Sequence, residues 1–208
     1  MNLDDGKETY FGIAGWSYED WKDYVYPAGV KDKLRYIAGY FDAIEINSTF
    51  YRPPGKSTSS SWLERISDLP EFFFTAKLHR DITHEGKIES STVKAFHEGL
   101  APLVEHGKLH HLLAQFKYDF RDTPANRKHL QRISAEFRGL CNLTFELRDN
   151  SWQSPDALDF LSAQQVTVAN LDLPLARNSF SLRKCLVGEH AYLRLHGRNR
   201  KAWFSKAG

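Results

Sequence analysis

The sequence has no apolar run approaching the roughly 20 residues that span a bilayer. Its opening, MNLDDGKETY, is polar and acidic, which excludes a secretory signal peptide. It has only two cysteines, Cys141 and Cys185, far apart and without a CxxC pair. Both are expected reduced and packed, as in a cytosolic protein. Charge of one sign is also lacking. The formal net charge is +2, and neither a basic tail nor a run of like charge points to a nucleic-acid arm. No linker or low-complexity segment interrupts the chain, so residues 1–208 are read as one cytoplasmic, membrane-free domain.

What is present suits a substantial core: 41% of the 208 residues are hydrophobic. Short strand-like runs recur. They are YFGIAGWS from Tyr10, DAIEINSTF from Asp42, FFFTAKLH from Phe72, HLLAQFKY from His111, LTFELRD from Leu143, VTVANLDL from Val166 and AYLRLHG from Ala191. Helix-like stretches lie between them. KDKLRYIAGYF puts Leu34, Ile37, Ala38 and Phe41 on one face. STSSSWLERI offers capping serines, and a long stretch after Ser90 contains Pro102, which is expected to kink or split it. Thr123-Pro124 and Ser154-Pro155 are each a cap followed by a proline, a helix start.

Strand and helix alternating in units of roughly 30 residues is the pattern of βαβ units and a parallel sheet. An open doubly wound sheet would carry a Gly-rich phosphate turn after its first strand. Here that turn is GWSYEDW, with no GxGxxG. A TIM-type (β/α) barrel is therefore the expected fold.

In AIEINSTFYR, Ile44 and Ile46 alternate with Glu45 and Asn47. The same alternation sets Phe74, Ala76 and Leu78 against Lys77, and Phe145 and Leu147 against Glu146 and Arg148. It also sets Ala114 and Phe116 against Gln115 and Lys117, Leu171 against Asp172, and Leu193 and Leu195 against Arg194 and His196. In a barrel the apolar parity meets the helices and the polar parity points inward. The polar set is then expected to converge at the C-terminal mouth. Charges buried together need partners whether or not they do chemistry. A purely structural barrel is nevertheless better served by an apolar interior, so a ligand or catalytic site is the favoured reading.

In that reading Lys77, Arg148 and Arg194 hold an anionic group, and Glu45 or Glu146 serves as general base. His196 acts as acid or proton shuttle. Trp16, Asn47, Tyr51, Gln115 and Asp172 complete the substrate contacts, on a small-molecule or nucleotide-like ligand bearing phosphate or sugar. Hydrolysis and isomerisation both stay open. Glu45, Glu146, Asp172 and His196 are also donors of the kind that bind a divalent metal, although the nearby cations compete with one. The alternative is a non-catalytic module for a nucleotide or nucleic acid. It would use the aromatic loop around Trp16, Tyr18, Trp21 and Tyr24 with Arg198, Arg200, Lys201 and Trp203. His79 and His84 are read as capping or loop-packing groups rather than metal ligands, and His110 and His111 as surface residues.

With these residues in hand, the chain resembles the YecE-like family, catalogued as domain of unknown function 72. The resemblance rests on GIAGWSYEDWKDYVYP, FDAIEINSTFYRPP, FFFTAKLHRDITH, LLAQF, FELRDNSW and AYLRLHG, and runs from about Phe11 to about Gly197. It implies a TIM barrel and no established activity. Two departures stand out. Lys117 and Tyr118 follow LLAQF where the family usually has prolines, and the family usually continues to an eighth strand after a further helix. With seven strands read, the chain is expected to be a C-terminally truncated barrel, open between its first and last strands.

Overall fold

The structure is a computed structural model that describes residues 8–174, 178–180 and 187–199. In chain order its elements begin with β1 (Gly12–Ala14), α1 (Lys33–Ala38), β2 (Ala43–Ile46), α2 (Lys56–Arg65) and β3 (Phe73–Lys77). Next come α3 (Arg80–Thr83), α4 (Ser90–Glu105), β4 (Leu109–Gln115), α5 (Pro124–Phe137) and β5 (Asn142–Glu146). The last are α6 (Pro155–Ala163), β6 (Thr167–Val168), β7 (Asn170–Asp172) and β8 (Leu193–Leu195). This is an α/β fold with a six-stranded parallel sheet in chain order, β1 to β6, and a separate two-stranded parallel sheet, β7 and β8. Among the described residues no pairing closes the larger sheet.

The chain divides into two compact units, residues 1–77 with 94–110 and residues 78–93 with 111–208. In the first, β1 pairs with β2 (Ile13 opposite Ile44) and β2 with β3 (Ile44 opposite Phe74). Ile44, Ile46, Phe74 and Ala76 are fully buried on one parity, and Glu45 and Thr75 are buried on the other. Neither face of β2 therefore meets water, which is why it is more than a half-exposed strand. Gly99 of α4 lets the helix press on the 52–55 loop, since a Cβ there would stand 2.0 Å from the Pro54 carbonyl oxygen. Lys108 sends its ammonium to the carbonyl oxygens of Leu69, Pro70 and Phe72 and ties down the turn before β3.

In the second unit, β4 pairs with β5, with Gln115 opposite Glu146, and β5 with β6. Leu112, Ala114, Phe116, Phe145 and Leu147 form the core with Leu130, Ile133 and Phe137 of α5. Both capped starts form as read: Thr123 accepts from the Asn126 amide and Ser154 from the Ala157 amide.

Several expectations need correction. Pro102 neither splits nor ends α4, which runs unbroken past it. α1 stops at Ala38, short of Phe41. Gly55, not a serine, caps α2. VTVANLDL is not one strand: Thr167 and Val168 pair with β5, whereas Asn170–Asp172 pair with β8. Leu193 and Leu195 are 55% and 72% exposed, because β8 pairs only with β7 among the described residues and no described helix covers it. His111 is buried, its Nδ1 2.8 Å from Thr144 Oγ1, and His110 stacks on Phe73 at 3.8 Å; the strand carries both rings inward to partners.

Candidate functional site

The second unit gathers four of the expected residues around the carboxylate of a fifth, Glu146. Glu146 is the last residue of β5, and strand alternation sends it to the face opposite Phe145 and Leu147. It is completely buried. Its Oε1 accepts from Gln115 Nε2 at 2.7 Å and Arg148 Nε at 2.8 Å, with Arg148 Nη2 at 2.7 Å. Its Oε2 pairs with Arg194 Nη1. His196 Nε2 stands 3.8 Å from Oε1 and 3.4 Å from Arg194 Nη1.

The local sequence explains this convergence. Gln115 is in register with Glu146 on the neighbouring strand, so its amide reaches across one strand spacing. Arg148 lies two residues beyond Glu146 on the same parity. Its backbone is held by residues distant in sequence: the Phe180 amide donates to Arg148 O at 2.8 Å, and the Asn150 amide to Asn178 O at 2.9 Å. Arg194 and His196 come from β8 and the residue after it, and the His196 amide donates to Asp172 O at 2.9 Å.

Burial alone would push the Glu146 carboxyl up. The guanidiniums of Arg194 and Arg148, with the Gln115 amide, outweigh it and hold the group below the usual carboxylate value. Glu146 is thus an ionised anchor surrounded by donors. Two guanidiniums meet this one carboxylate. Arg148 is a quarter exposed and Arg194 about a tenth, so the centre borders solvent on the Arg148 side.

Asp172 does not join this cluster; it takes Arg198, Nε to Oδ1 2.8 Å, as its partner. In the first unit, Lys77 Nζ lies 3.9 Å from the buried Glu45 carboxylate and 5.5 Å from the Phe50 ring. Asn47 Nδ2 donates to Tyr18 Oη at 3.4 Å, Trp16 packs edge-on against Trp62, and Tyr51 is mostly exposed beside Phe50. Among the described residues no group of three or more His, Cys, Asp and Glu stands close enough to hold a metal. Arg200, Lys201, Trp203 and Cys185 lie outside the described residues. Burial pushes the Cys141 thiol up to about 12, which makes it a poor nucleophile at neutral pH. His79 caps α3, its Nδ1 accepting from the Asp81 amide at 3.2 Å.

One neighbour of the centre was missed as a site residue. Lys117 continues the Gln115 parity of β4 as Arg148 continues that of β5, and it pairs with Glu85 at 3.4 Å. The alternation that found Gln115 extends to it.

Fold and centre together define an α/β protein with a buried carboxylate that organises guanidiniums at a strand's C-terminal end. The chain belongs to the DUF72 family, described as proteins of unknown function, whose model matches residues 10–207. A DUF72 protein from Thermotoga maritima is similar in structure, with 28% identity and a TM-score of 0.78 over 94% of this chain and 77% of that one. A DUF72 protein from Enterococcus faecalis shares 26% identity, with a TM-score of 0.79 over 95% of this chain and 74% of that one. No curated protein matches the chain. No described helix is long and apolar enough to cross a membrane.

Proposed function

We propose that the chain is an enzyme whose Glu146 centre takes the anionic group of a small molecule, a phosphate- or carboxylate-bearing sugar compound. The observation that carries this reading is the outer guanidinium: Arg148 is fixed by a fully buried carboxylate that it shares with Arg194, and it borders solvent. A guanidinium held on one edge by a carboxylate still presents donors in a fixed plane, the geometry that grips phosphate or carboxylate. In this scheme Glu146 is a positioning residue. Its lowered pKa and the donors on both oxygens make it a weak proton acceptor. His196, beside Arg194, is the group that moves a proton, in a hydrolysis or an isomerisation. A TIM-type (β/α) barrel is the finer fold we propose, supported by parallel strands in chain order alternating with helices.

The test is equilibrium binding of a hexose monophosphate to the intact chain, followed by calorimetry at two salt concentrations. Saturable, salt-sensitive binding that weakens at least about tenfold in Arg148→Ala supports the reading, the loss expected for one charge-assisted contact. Binding unchanged by Arg148→Ala, or no saturable binding, overturns it and leaves the centre a structural ion-pair network. His196→Gln should keep the binding and lose turnover.

A further inference from the structure

A groove of about 510 Å³ opens in the second unit between α3 with the turn after it and the first half of α5. His84, Asn126, Lys128, His129 and Arg132 line it, and no carboxylate does. The only acidic residue in the adjoining turn, Glu85, is engaged by Lys117. Gly86, in the left-handed region at φ +69°, places no side chain over the opening, and nothing lies within 4 Å of where its Cβ would stand. His129 is fixed in the groove wall by donating from Nε2 to Ile82 O at 2.8 Å. His84 is fixed by a 2.9 Å hydrogen bond between its Nδ1 and Thr83 Oγ1.

The groove adjoins the Glu146 centre. Gln115 is in register with Glu146, and the Phe116 amide donates to Glu146 O at 3.0 Å, so Lys117 and Arg148 leave β4 and β5 side by side. Burial, with the positive charges of Lys117 and Arg148, holds the His84 imidazole below its usual pKa. Lys117 follows the strand beside that of Glu146 and pairs with Glu85, between the groove-lining His84 and Gly86 in sequence.

We infer that this groove is a second anion subsite, linked through Lys117 to the Glu146 centre, and that the substrate carries two anionic groups, as a bisphosphorylated or phospho-carboxylated small molecule does. The two-site arrangement rests on the reading of the centre in the preceding subsection; the groove's own affinity for an anion does not. One anionic group sits against Arg148 and Arg194. The other enters the groove, where Lys128 and Arg132 supply charge and the Asn126 amide a donor, beside the His129 ring. Lys128 and Arg132 are exposed on α5, so replacing them leaves the core untouched.

The test compares a hexose monophosphate with a hexose bisphosphate, by calorimetry and by the histidine ring signals in proton NMR. It uses the intact chain, the K128A/R132A variant and Arg148→Ala. The expected result is bisphosphate binding at least about tenfold tighter than monophosphate, with the His129 ring signals moving only for the bisphosphate. In K128A/R132A that preference should vanish while monophosphate affinity stays within about twofold. Equal affinities in the unaltered chain, or a preference surviving in K128A/R132A, overturn the subsite. If Arg148→Ala changes neither ligand while K128A/R132A still abolishes the His129 shift, the reading of the centre fails and the groove stands as an anion site alone.

Discussion

Replacing Glu146 with glutamine keeps the side chain's shape and removes its charge. The carboxylate is fully buried, and Arg194, about a tenth exposed, would lose the carboxylate it pairs with. The new amide would also aim N–H groups at guanidinium donors. Breaking a buried pair from one side costs roughly 3–5 kcal/mol. Arg148, a quarter exposed, turns to water more cheaply, which puts the expected loss near the lower end, about 3 kcal/mol. For a chain of this size that lowers Tm by about 6–12 °C. The pH dependence has a defined sign. The Glu146 pKa is lowered in the folded state, so its stabilisation is present above the unfolded value of about 4.3 and is lost as pH falls through the folded value. Wild type and Glu146→Gln should therefore differ fully at pH 7 and converge in acid. Thermal unfolding followed by circular dichroism from pH 3 to pH 8 measures both. A Tm within about 2 °C of wild type at pH 7 would refute the reasoning, because it would mean that the carboxylate does not hold the guanidiniums. Adding Arg194→Met to Glu146→Gln should restore part of the loss by removing a guanidinium that has lost that carboxylate.

Three further outcomes follow from the packing. Leu147→Ala, at a fully buried position on the opposite parity, should cost roughly 2–5 kcal/mol by denaturant unfolding; an unchanged midpoint would mean that the two faces of β5 are reversed. Gly99→Ala drives a methyl group to within 2.0 Å of the Pro54 carbonyl oxygen and should cost about 1–3 kcal/mol, although alanine is the better helix former. Lys108→Met keeps the stem and removes the ammonium from three carbonyl oxygens, for an expected loss of about 1–3 kcal/mol, checked by the same unfolding curves.

Strand alternation made the centre legible in the sequence. A side-chain period of two assigned Gln115, Glu146, Arg148, Arg194 and His196 to one parity, and the other four converge on the Glu146 carboxylate. Parity says which way a side chain points and not which partner it meets. Asp172 had the right parity and pairs with Arg198 instead. The break inside VTVANLDL was hidden because apolar residues run through both halves, Val166 and Val168 in one and Leu171 and Leu173 in the other, so only the change of partner strand at Ala169 separates them. His111 looked like a surface residue because histidine is amphipathic; its burial depends on Thr144, a partner 33 residues away. The groove was invisible for a similar reason. His84 and His129 are separated by a strand, a long helix and a loop, and no spacing rule joins them.

The centre's cations are mounted on supports of unequal strength. Glu146 belongs to β5, which is flanked by β4 on one side and β6 on the other. Arg194 belongs to β8, three residues long and bonded only to the equally short β7 among the described residues. A short ribbon with exposed leucines opens locally at far lower free energy than a strand paired on both edges. The His196 amide should accordingly exchange its proton with solvent well before the Phe116 and Ala169 amides, which donate to β5. When β8 opens, Arg194 and His196 leave together, and Glu146 stays behind with Gln115 and Arg148. How long a bound anion remains would then be timed by the fraying of three residues rather than by the contacts it makes.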